Sequence, residues 1–308
     1  MITILMAACN SEKYIAEQIE SIFSQTETDW KLVIQDDCSK DRTAEIAYEY
    51  VRKCPDKMVF VELKTPSGSA KSNFFSMLKY ADTEYMMTCD HDDVWLPNKI
   101  EAALKKMNEL EGKFGHDIPL LVHSDLKVVD EGLNIISSSM FALQKLKSRK
   151  DKLNNLLVQN IVTGCTMMVN GALLDTMPEV PEQAIMHDWW LALVAAAFGH
   201  IGFVSKPTVL YRQHGNNEVG AKKAGSLRYN LKRMLRKDEA KSVLQDTYAQ
   251  AKSFMQIYKK QLNAPHLEIV KEYGALPEYS KTKRLRTIIK YDFWKYGFFR
   301  KCGQIFFA

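Results

Sequence analysis

Apolar residues in the first half of this chain alternate between two patterns. Short solid runs are bounded by polar residues and read as buried strands: Ile2-Thr3-Ile4-Leu5-Met6, Leu32-Val33-Ile34, residues 58–63 and Tyr85-Met86-Met87-Thr88-Cys89. Between them lie helix-length stretches. Residues 14–25 place Ile15, Ile19, Ile22 and Phe23 at helical spacing, and residues 44–52 and 71–80 read as further helices. Pro97, followed by Lys99-Ile100-Glu101-Ala102-Ala103-Leu104, opens another. Strands alternating with helices of about ten residues predict parallel βαβ units and an α/β fold. Beyond these, residues 120–130 are strand-like with polar interruptions, and 161–169 are strand-like around Gly164. An apolar helix follows Met186, and residues 201–204 and 208–212 read as a hairpin. Residues 141–156 are basic and polar and read as an exposed helix or loop between two halves of the domain. From Ser226 the pattern changes to long helices, over 227–235, 240–262 and 266–273. The predicted division is therefore 1–225 for the α/β domain and 226–308 for a helical extension.

Two of the predicted strands run directly into carboxylates. One ends at Asp36-Asp37-Cys38-Ser39, the other at Asp90-His91-Asp92-Asp93. Ligands of open parallel sheets bind outside the carboxyl ends of the strands, so both clusters are expected to face one crevice. Clustered carboxylates repel one another unless a cation sits among them, and hard oxygen ligands suit Mg²⁺ or Mn²⁺. A solvated acidic loop without an ion is the other reading. For Asp36-Asp37 the plain alternative is a turn leading to a capped helix. Ser67-Gly68-Ser69-Ala70-Lys71 opens the next helix, where small residues and Lys71 suit either an anion site or an ordinary capped start. Asp125 reads as a turn residue more than as part of the crevice.

Composition narrows the classes. The 308 residues, 46% hydrophobic and 26% charged, suit one large domain plus an appended segment. The net charge of +5 is modest. The six cysteines are scattered without a Cys-x-x-Cys pair, which argues against a disulfide framework or a structural zinc and favours a reducing compartment. No signal peptide and no transmembrane run are expected. Neither a Gly-x-Gly-x-x-Gly nor a Walker loop is present, which argues against dinucleotide and P-loop enzymes.

Asp-x-Asp at a strand end, read with the N-terminal half, resembles the family 2 glycosyltransferases. Asp90-His91-Asp92-Asp93-Val94-Trp95 and Tyr211-Arg212-Gln213-His214-Gly215-Asn216-Asn217 resemble their bacterial rhamnosyltransferase branch. The resemblance covers about residues 1–220. It implies a GT-A fold and a metal-dependent, inverting transfer from a nucleoside-diphosphate sugar. The donor it implies is dTDP-L-rhamnose, with a UDP-sugar as the alternative, and the acceptor a lipid-linked cell-surface polysaccharide.

By the same resemblance, Asp37 meets the pyrimidine, Asp90 lies near the ribose and Asp92 binds Mn²⁺ or Mg²⁺. Ala7, Cys9 and Lys71 border the nucleotide, and Asp188 is the general base; read from the residues alone, Asp188 also suits a helix cap or first-turn charge. Residue chemistry lets Arg212 meet a diphosphate and His214 complete a Mn²⁺ site, although His214 reads equally as a hydrogen-bonded loop histidine. Two positions depart from the family pattern. Ala7-Ala8-Cys9-Asn10 lacks the usual hydroxyl residue and Tyr, and Cys38 replaces a Gly, so it must avoid a positive φ or accept strain. Trp189-Trp190 after Asp188 reads as core more than as a sugar platform.

The last segment interleaves Lys283, Arg284, Arg286, Lys290 and Lys295 with Tyr291, Phe293, Trp294, Phe298 and Phe299, which suits an anionic membrane surface, with nucleic-acid binding or packing on the catalytic domain as the alternatives. The expected setting is the cytoplasm, at the inner face of the plasma membrane. No nucleic-acid partner is expected, and a homodimer is left open. A non-catalytic nucleotide-sugar or polysaccharide binding protein is the rival from another class.

Overall fold

The structure is a computed structural model that describes residues 1–177, 181–215, 237–297, 301, 304 and 305. The expected helix over 227–235, the Asn216-Asn217 end of the motif, and Phe298 and Phe299 lie outside the described residues. In chain order the elements begin β1 (Ile2–Ala8), α1 (Ile15–Phe23), β2 (Trp30–Asp36), α2 (Thr43–Lys53), β3 (Met58–Glu62) and α3 (Ala70–Met77). Then come β4 (Tyr85–Asp90), β5 (Val94–Trp95), α4 (Lys99–Phe114), β6 (Leu120–Ser124), β7 (Lys127–Val129) and β8 (Ile135–Ser137). Two short helices, α5 (Met140–Gln144) and α6 (Leu153–Leu156), precede β9 (Met168–Asn170), α7 (Gly171–Asp175) and α8 (His187–Phe198). The chain continues through β10 (His200–Val204), β11 (Val209–Arg212), α9 (Lys237–Tyr258), α10 (Ala264–Gly274) and α11 (Lys281–Tyr291).

The elements form two compact units. The first comprises Met1–Met140, Val162–Pro178 and His200–Ala221, and the second Phe141–Ile161, Glu179–Gly199 and Lys222–Ala308. Packing thus interleaves the units along the chain, where the sequence pattern suggested one cut after residue 225.

The first unit is built on a seven-stranded sheet in the order β10-β6-β9-β4-β1-β2-β3. Every residue of β1 is buried, as a central strand covered on both faces requires. Its neighbours β2 and β4 run parallel to it, and β9 alone is antiparallel to its partners β4 and β6. After β3 the chain crosses back over β1 to lay down β4 on the far side. That reversal makes the β1/β4 boundary the switch point where an α/β sheet opens a crevice. The register places Ala7 opposite Asp90 and Ala8 opposite Asp36, so three strand ends deliver their residues to one edge. A second sheet of the same unit runs β5-β11-β7-β8.

Several sequence expectations need correction. The hairpin over 201–212 does not form. β10 pairs in parallel with β6 in the large sheet, whereas β11 enters the small sheet between β5 and β7. A short polar connection has the same signature whether a strand turns back or changes sheet. Here Thr208 makes the change, its N–H donating to the Asp125 carbonyl at 3.1 Å and its carbonyl accepting from Leu96 at 2.9 Å. Around Gly164 the chain forms a 3-10 turn over Gly164–Thr166, and the strand begins only at Met168. Residues 141–156 are not simply exposed, since Leu153 and Leu156 are buried.

In the second unit α8 is apolar all round because it is the core. Trp190 is fully buried and packs edge-on to Phe254, with ring centroids 5.3 Å apart. Phe293, expected on the exposed tail, is fully buried against Tyr273. Arg284 is half-buried and donates to the carbonyls of Leu276, Pro277 and Tyr279. No described helix is long and apolar enough to cross a membrane.

Candidate active site

The crevice edge of the first unit is assembled from turns that hold their own carboxylates. Asp36 is buried and accepts from the Ser39 amide at 2.9 Å and the Ser39 hydroxyl at 2.5 Å, which is the turn role foreseen as its alternative. Cys38 sits at φ +57°, so it does occupy the left-handed region that Gly would enter freely. Its thiol donates to the Leu63 carbonyl at 3.0 Å, which helps to hold that conformation. Asp37 points the other way. Its two oxygens accept from the amide and hydroxyl of Ser67, at 2.6 and 2.7 Å. That bond ties the β2 turn to the Ser67–Lys71 segment, where Ser69 caps α3 and Lys71 lies half-buried in the first turn. A carboxylate has about four acceptor sites, so Asp37 keeps capacity for a base N–H.

Ala7 is buried, and its carbonyl accepts from Nδ1 of His91 at 3.0 Å. Cys9 is exposed beside the Asp37 carbonyl, and burial together with the charges of Asp37, Asp36 and Asp41 pushes its thiol pKa up. These two residues border the same edge as Asp37 and Asp90.

Asp92 and His214, distant in sequence, meet directly. His214 Nε2 lies 2.7 Å from Asp92 Oδ2, and their side chains are only 7% and 12% exposed. This contact is a hydrogen bond from the His214 ring to the carboxylate; a divalent ion would take the place of its proton, since imidazole nitrogen and carboxylate oxygen are both ligands for such an ion. Asp90, Asp93 and Cys165 also converge, their ligand atoms all within 4.8 Å of one another. Asp93 is fully buried, however. Burial, reinforced by the charges of Asp92 and Asp90, pushes its carboxyl well above the usual carboxylate range.

Arg212 was expected to face a diphosphate, but the structure turns its guanidinium inward. It is 3% exposed. Nε donates to the Asp92 carbonyl at 2.8 Å, Nη1 to the Glu131 carbonyl, and Nη2 pairs with Glu17. Its backbone N–H donates to Asp93 at 3.1 Å. Arg212 therefore braces the Asp92-Asp93 turn from behind. Asp125, as foreseen, is a buried turn residue that accepts from Leu126, Ser139 and Met140.

Pattern reading missed Lys99, Tyr14 and Glu17. Lys99 opens α4 with 1% exposure, its Nζ 4.4 Å over the Trp95 ring. Burial lowers its pKa to about 8, opposed by Cys165, Cys89 and Asp93, which raise it. The unfolded chain holds that proton up to about pH 10.4, so it binds more protons than the folded state between about pH 8 and 10.4, and stability rises with pH across that window. Lys99→Met is expected to be more stable than the parent at about pH 7, with the advantage shrinking towards about pH 10. Urea midpoints at both pH values check this, and equal pH dependence in the two proteins would refute it.

In the second unit Asp188 occupies the first turn of α8, half-buried, with Met186 as N-cap. Trp189 is half-buried and donates from Nε1 to the Leu156 carbonyl at 2.6 Å. Trp190 belongs to the core, as expected of it.

Residues 3–168 match the family model described as "Glycosyl transferase family 2", more than half of the chain. The chain belongs to glycosyl transferase family 2. Among curated relatives, this glycosyltransferase is 28% identical over 229 residues to the dTDP-rhamnosyl transferase RfbG of Shigella flexneri, covering 70% of this chain and 74% of that protein. Among solved structures it resembles residues 1–349 of S. aureus TarS in complex with UDP-GlcNAc, with a TM-score of 0.59 at 18% identity. That match covers 94% of this chain and 72% of TarS 1–349. It also resembles the mannosyltransferase PcManGT of Pyrobaculum calidifontis, solved with GDP-Man and Mn²⁺. There the TM-score is 0.56 at 14% identity, with 99% of this chain and 83% of that one covered. The glycosyltransferase thus has the expected GT-A fold, a mostly parallel sheet flanked by helices.

Proposed function

We propose that this glycosyltransferase moves L-rhamnose from dTDP-L-rhamnose to a lipid-linked saccharide, with inversion at the anomeric carbon. The observation that carries the reading is the Asp92–His214 pair just past the β4 end, on the sheet edge that also receives the end of β2 at Asp36-Asp37, in a family 2 chain similar to a dTDP-rhamnosyl transferase. Asp37 would accept from the imide N–H of the pyrimidine and Asp90 from ribose hydroxyls. Asp92 and His214 would hold Mn²⁺ or Mg²⁺, which when bound neutralises charge on the departing nucleoside diphosphate. Arg212 keeps the Asp92 backbone in place. Asp188 takes the proton of the acceptor hydroxyl as that oxygen bonds to the anomeric carbon and the bond to the diphosphate breaks. One displacement suffices, so no enzyme nucleophile is assigned.

A thermal-shift panel of dTDP-rhamnose, UDP-GlcNAc, UDP-glucose and GDP-mannose, each with and without Mn²⁺, tests the donor. The expected result is the largest stabilisation by dTDP-rhamnose with Mn²⁺. A larger shift with a UDP-sugar would move the assignment to that donor, the second reading, which the loss of the usual Tyr near Cys9 keeps in play. A bound donor with no turnover on any acceptor would favour the non-catalytic binding protein.

Use of a lipid-linked acceptor would bring the enzyme to the cytoplasmic face of the plasma membrane. The support is α11, whose Leu285 and Ile289 are 37% and 61% exposed one helical turn apart, with Lys281 and Arg286 exposed beside them. Aliphatic residues rimmed by cations suit anionic lipid better than nucleic acid. Full-length protein is expected to sediment with phosphatidylglycerol vesicles at low salt, and Lys281→Glu/Arg286→Glu to lose most of that binding. Equal sedimentation of the two proteins, or none by the parent, would remove the membrane assignment.

A further inference from the structure

The Asp92–His214 pair is held from one side by the N-terminal turn of α1. The ring of Tyr14 stacks on the imidazole of His214, with centroids 5.1 Å apart and planes 23° from parallel. The same ring lies under the Arg212 guanidinium, whose Cζ is 4.8 Å from its centroid. One turn further along α1, the half-exposed Glu17 pairs with Arg212 Nη2, and Arg212 Nε in turn donates to the Asp92 carbonyl. Both members of the pair are therefore tied to α1, His214 through its ring and Asp92 through its backbone. His214 lies just past the end of β11, two residues after the last ladder position and one residue before Gly215. A ring in such a place gains little orientation from the sheet. A stacked aromatic partner restricts the ring plane, and its preference is of a size that corresponds to about three- to tenfold in population.

We propose that Tyr14, supported by Glu17, is a positioning residue that presents His214 Nε2 to the metal and so sets the preference of the site for Mn²⁺ over Mg²⁺. This rests on the assignment of Asp92 and His214 as the metal-holding pair. Mg²⁺ takes oxygen ligands almost exclusively and gains little from an imidazole, whereas first-row transition ions accept nitrogen readily. A site that loses control of its imidazole keeps its carboxylate. It then loses affinity for Mn²⁺ selectively and leaves Mg²⁺ nearly as before. General damage to the crevice would weaken both ions alike.

The test uses the full-length protein with dTDP or UDP as the nucleotide. Mn²⁺ binding is read from the fall of the free-ion EPR signal, and Mg²⁺ affinity from its competition with Mn²⁺. Tyr14→Leu is expected to weaken Mn²⁺ by about three- to tenfold with less than about a twofold change for Mg²⁺, while Tyr14→Phe, which keeps the ring, retains the parental ratio. Glu17→Gln, an exposed substitution that spares the core, is expected to weaken Mn²⁺ in the same selective way and serves if Tyr14→Leu does not fold. Unchanged Mn²⁺ affinity in the variants, or equal losses for both ions, would overturn the positioning role while leaving the metal pair intact. A parent protein that binds no Mn²⁺ with either nucleotide would overturn the metal pair and this role together.

Discussion

Asp188→Asn is expected to lower glycosyl transfer by about 10²–10⁴-fold while donor and metal affinity stay close to the parent values. An acceptor hydroxyl holds its proton at neutral pH, and its oxygen is a weak nucleophile unless that proton leaves as the new bond forms. Asp188 is the candidate because it stands in the first turn of α8 next to Trp189, whose indole is fixed by its bond to Leu156. Asparagine keeps the size and the hydrogen-bonding capacity of the side chain, so lost packing would not explain a loss of rate. α8 is also anchored by the fully buried Trp190, Leu191 and Val194, which the substitution does not touch. The decisive measurement pairs calorimetric titration of the nucleotide sugar with a turnover assay. Normal turnover by Asp188→Asn would mean that the base is another residue.

The second large effect belongs to Asp92. Asp92→Ala is expected to abolish Mn²⁺ binding and to reduce transfer by at least about 10³-fold, because charge stabilisation of a leaving group by a bound ion is worth several kcal/mol. Stability should change by about 1–3 kcal/mol. The side chain loses its bond to His214, but the backbone carbonyl that receives Arg212 is untouched. EPR detection of bound Mn²⁺, turnover and a denaturation midpoint measured on one preparation separate the two consequences. Full activity of Asp92→Ala, or parental activity in excess EDTA, would contradict the metal-dependent reading.

The α/β class and the crevice were legible because their signals are local. Apolar runs ending in Asp36-Asp37 and Asp90-His91-Asp92 mark buried strands and their carboxyl ends without any tertiary knowledge. Asp92 and His214 could each be put forward as a metal ligand, but 122 residues separate them, and only the folded chain shows them in contact. What the pattern could not carry was the use of side chains after folding. Arg212 looks like any cationic residue near an active-site motif, yet its position at the end of a strand buried between β5 and β7 obliges the guanidinium to find acceptors at once. Lys99 was equally hidden, because a lysine at the start of an amphipathic helix is normally solvated. Tyr14 and Glu17 gave no signal, as Tyr14 precedes α1, Glu17 lies on its exposed face, and their partners Arg212 and His214 come from at least 195 residues further along the chain. The hairpin expectation failed for a related reason: spacing reports the length of a connection and not which sheet each strand joins.

The placement of β9 has a consequence for the order in which the protein can be made. β9 is the strand that links β4 to β6, and through β6 to β10. A nascent chain that ends before Met168 already carries β3, β2, β1 and β4 as neighbours, with the crevice carboxylates Asp36, Asp37, Asp90 and Asp92 included. It has nothing to join that half to β6, whose edge stays open on the ribosome until β9 emerges. Because domains fold from the N-terminus as synthesis proceeds at about 5–20 residues per second, several seconds separate the appearance of β4 from that of β9. During that interval the β4 edge, with Tyr85, Met86 and Met87, is an unpaired strand edge of the kind that invites pairing with another chain.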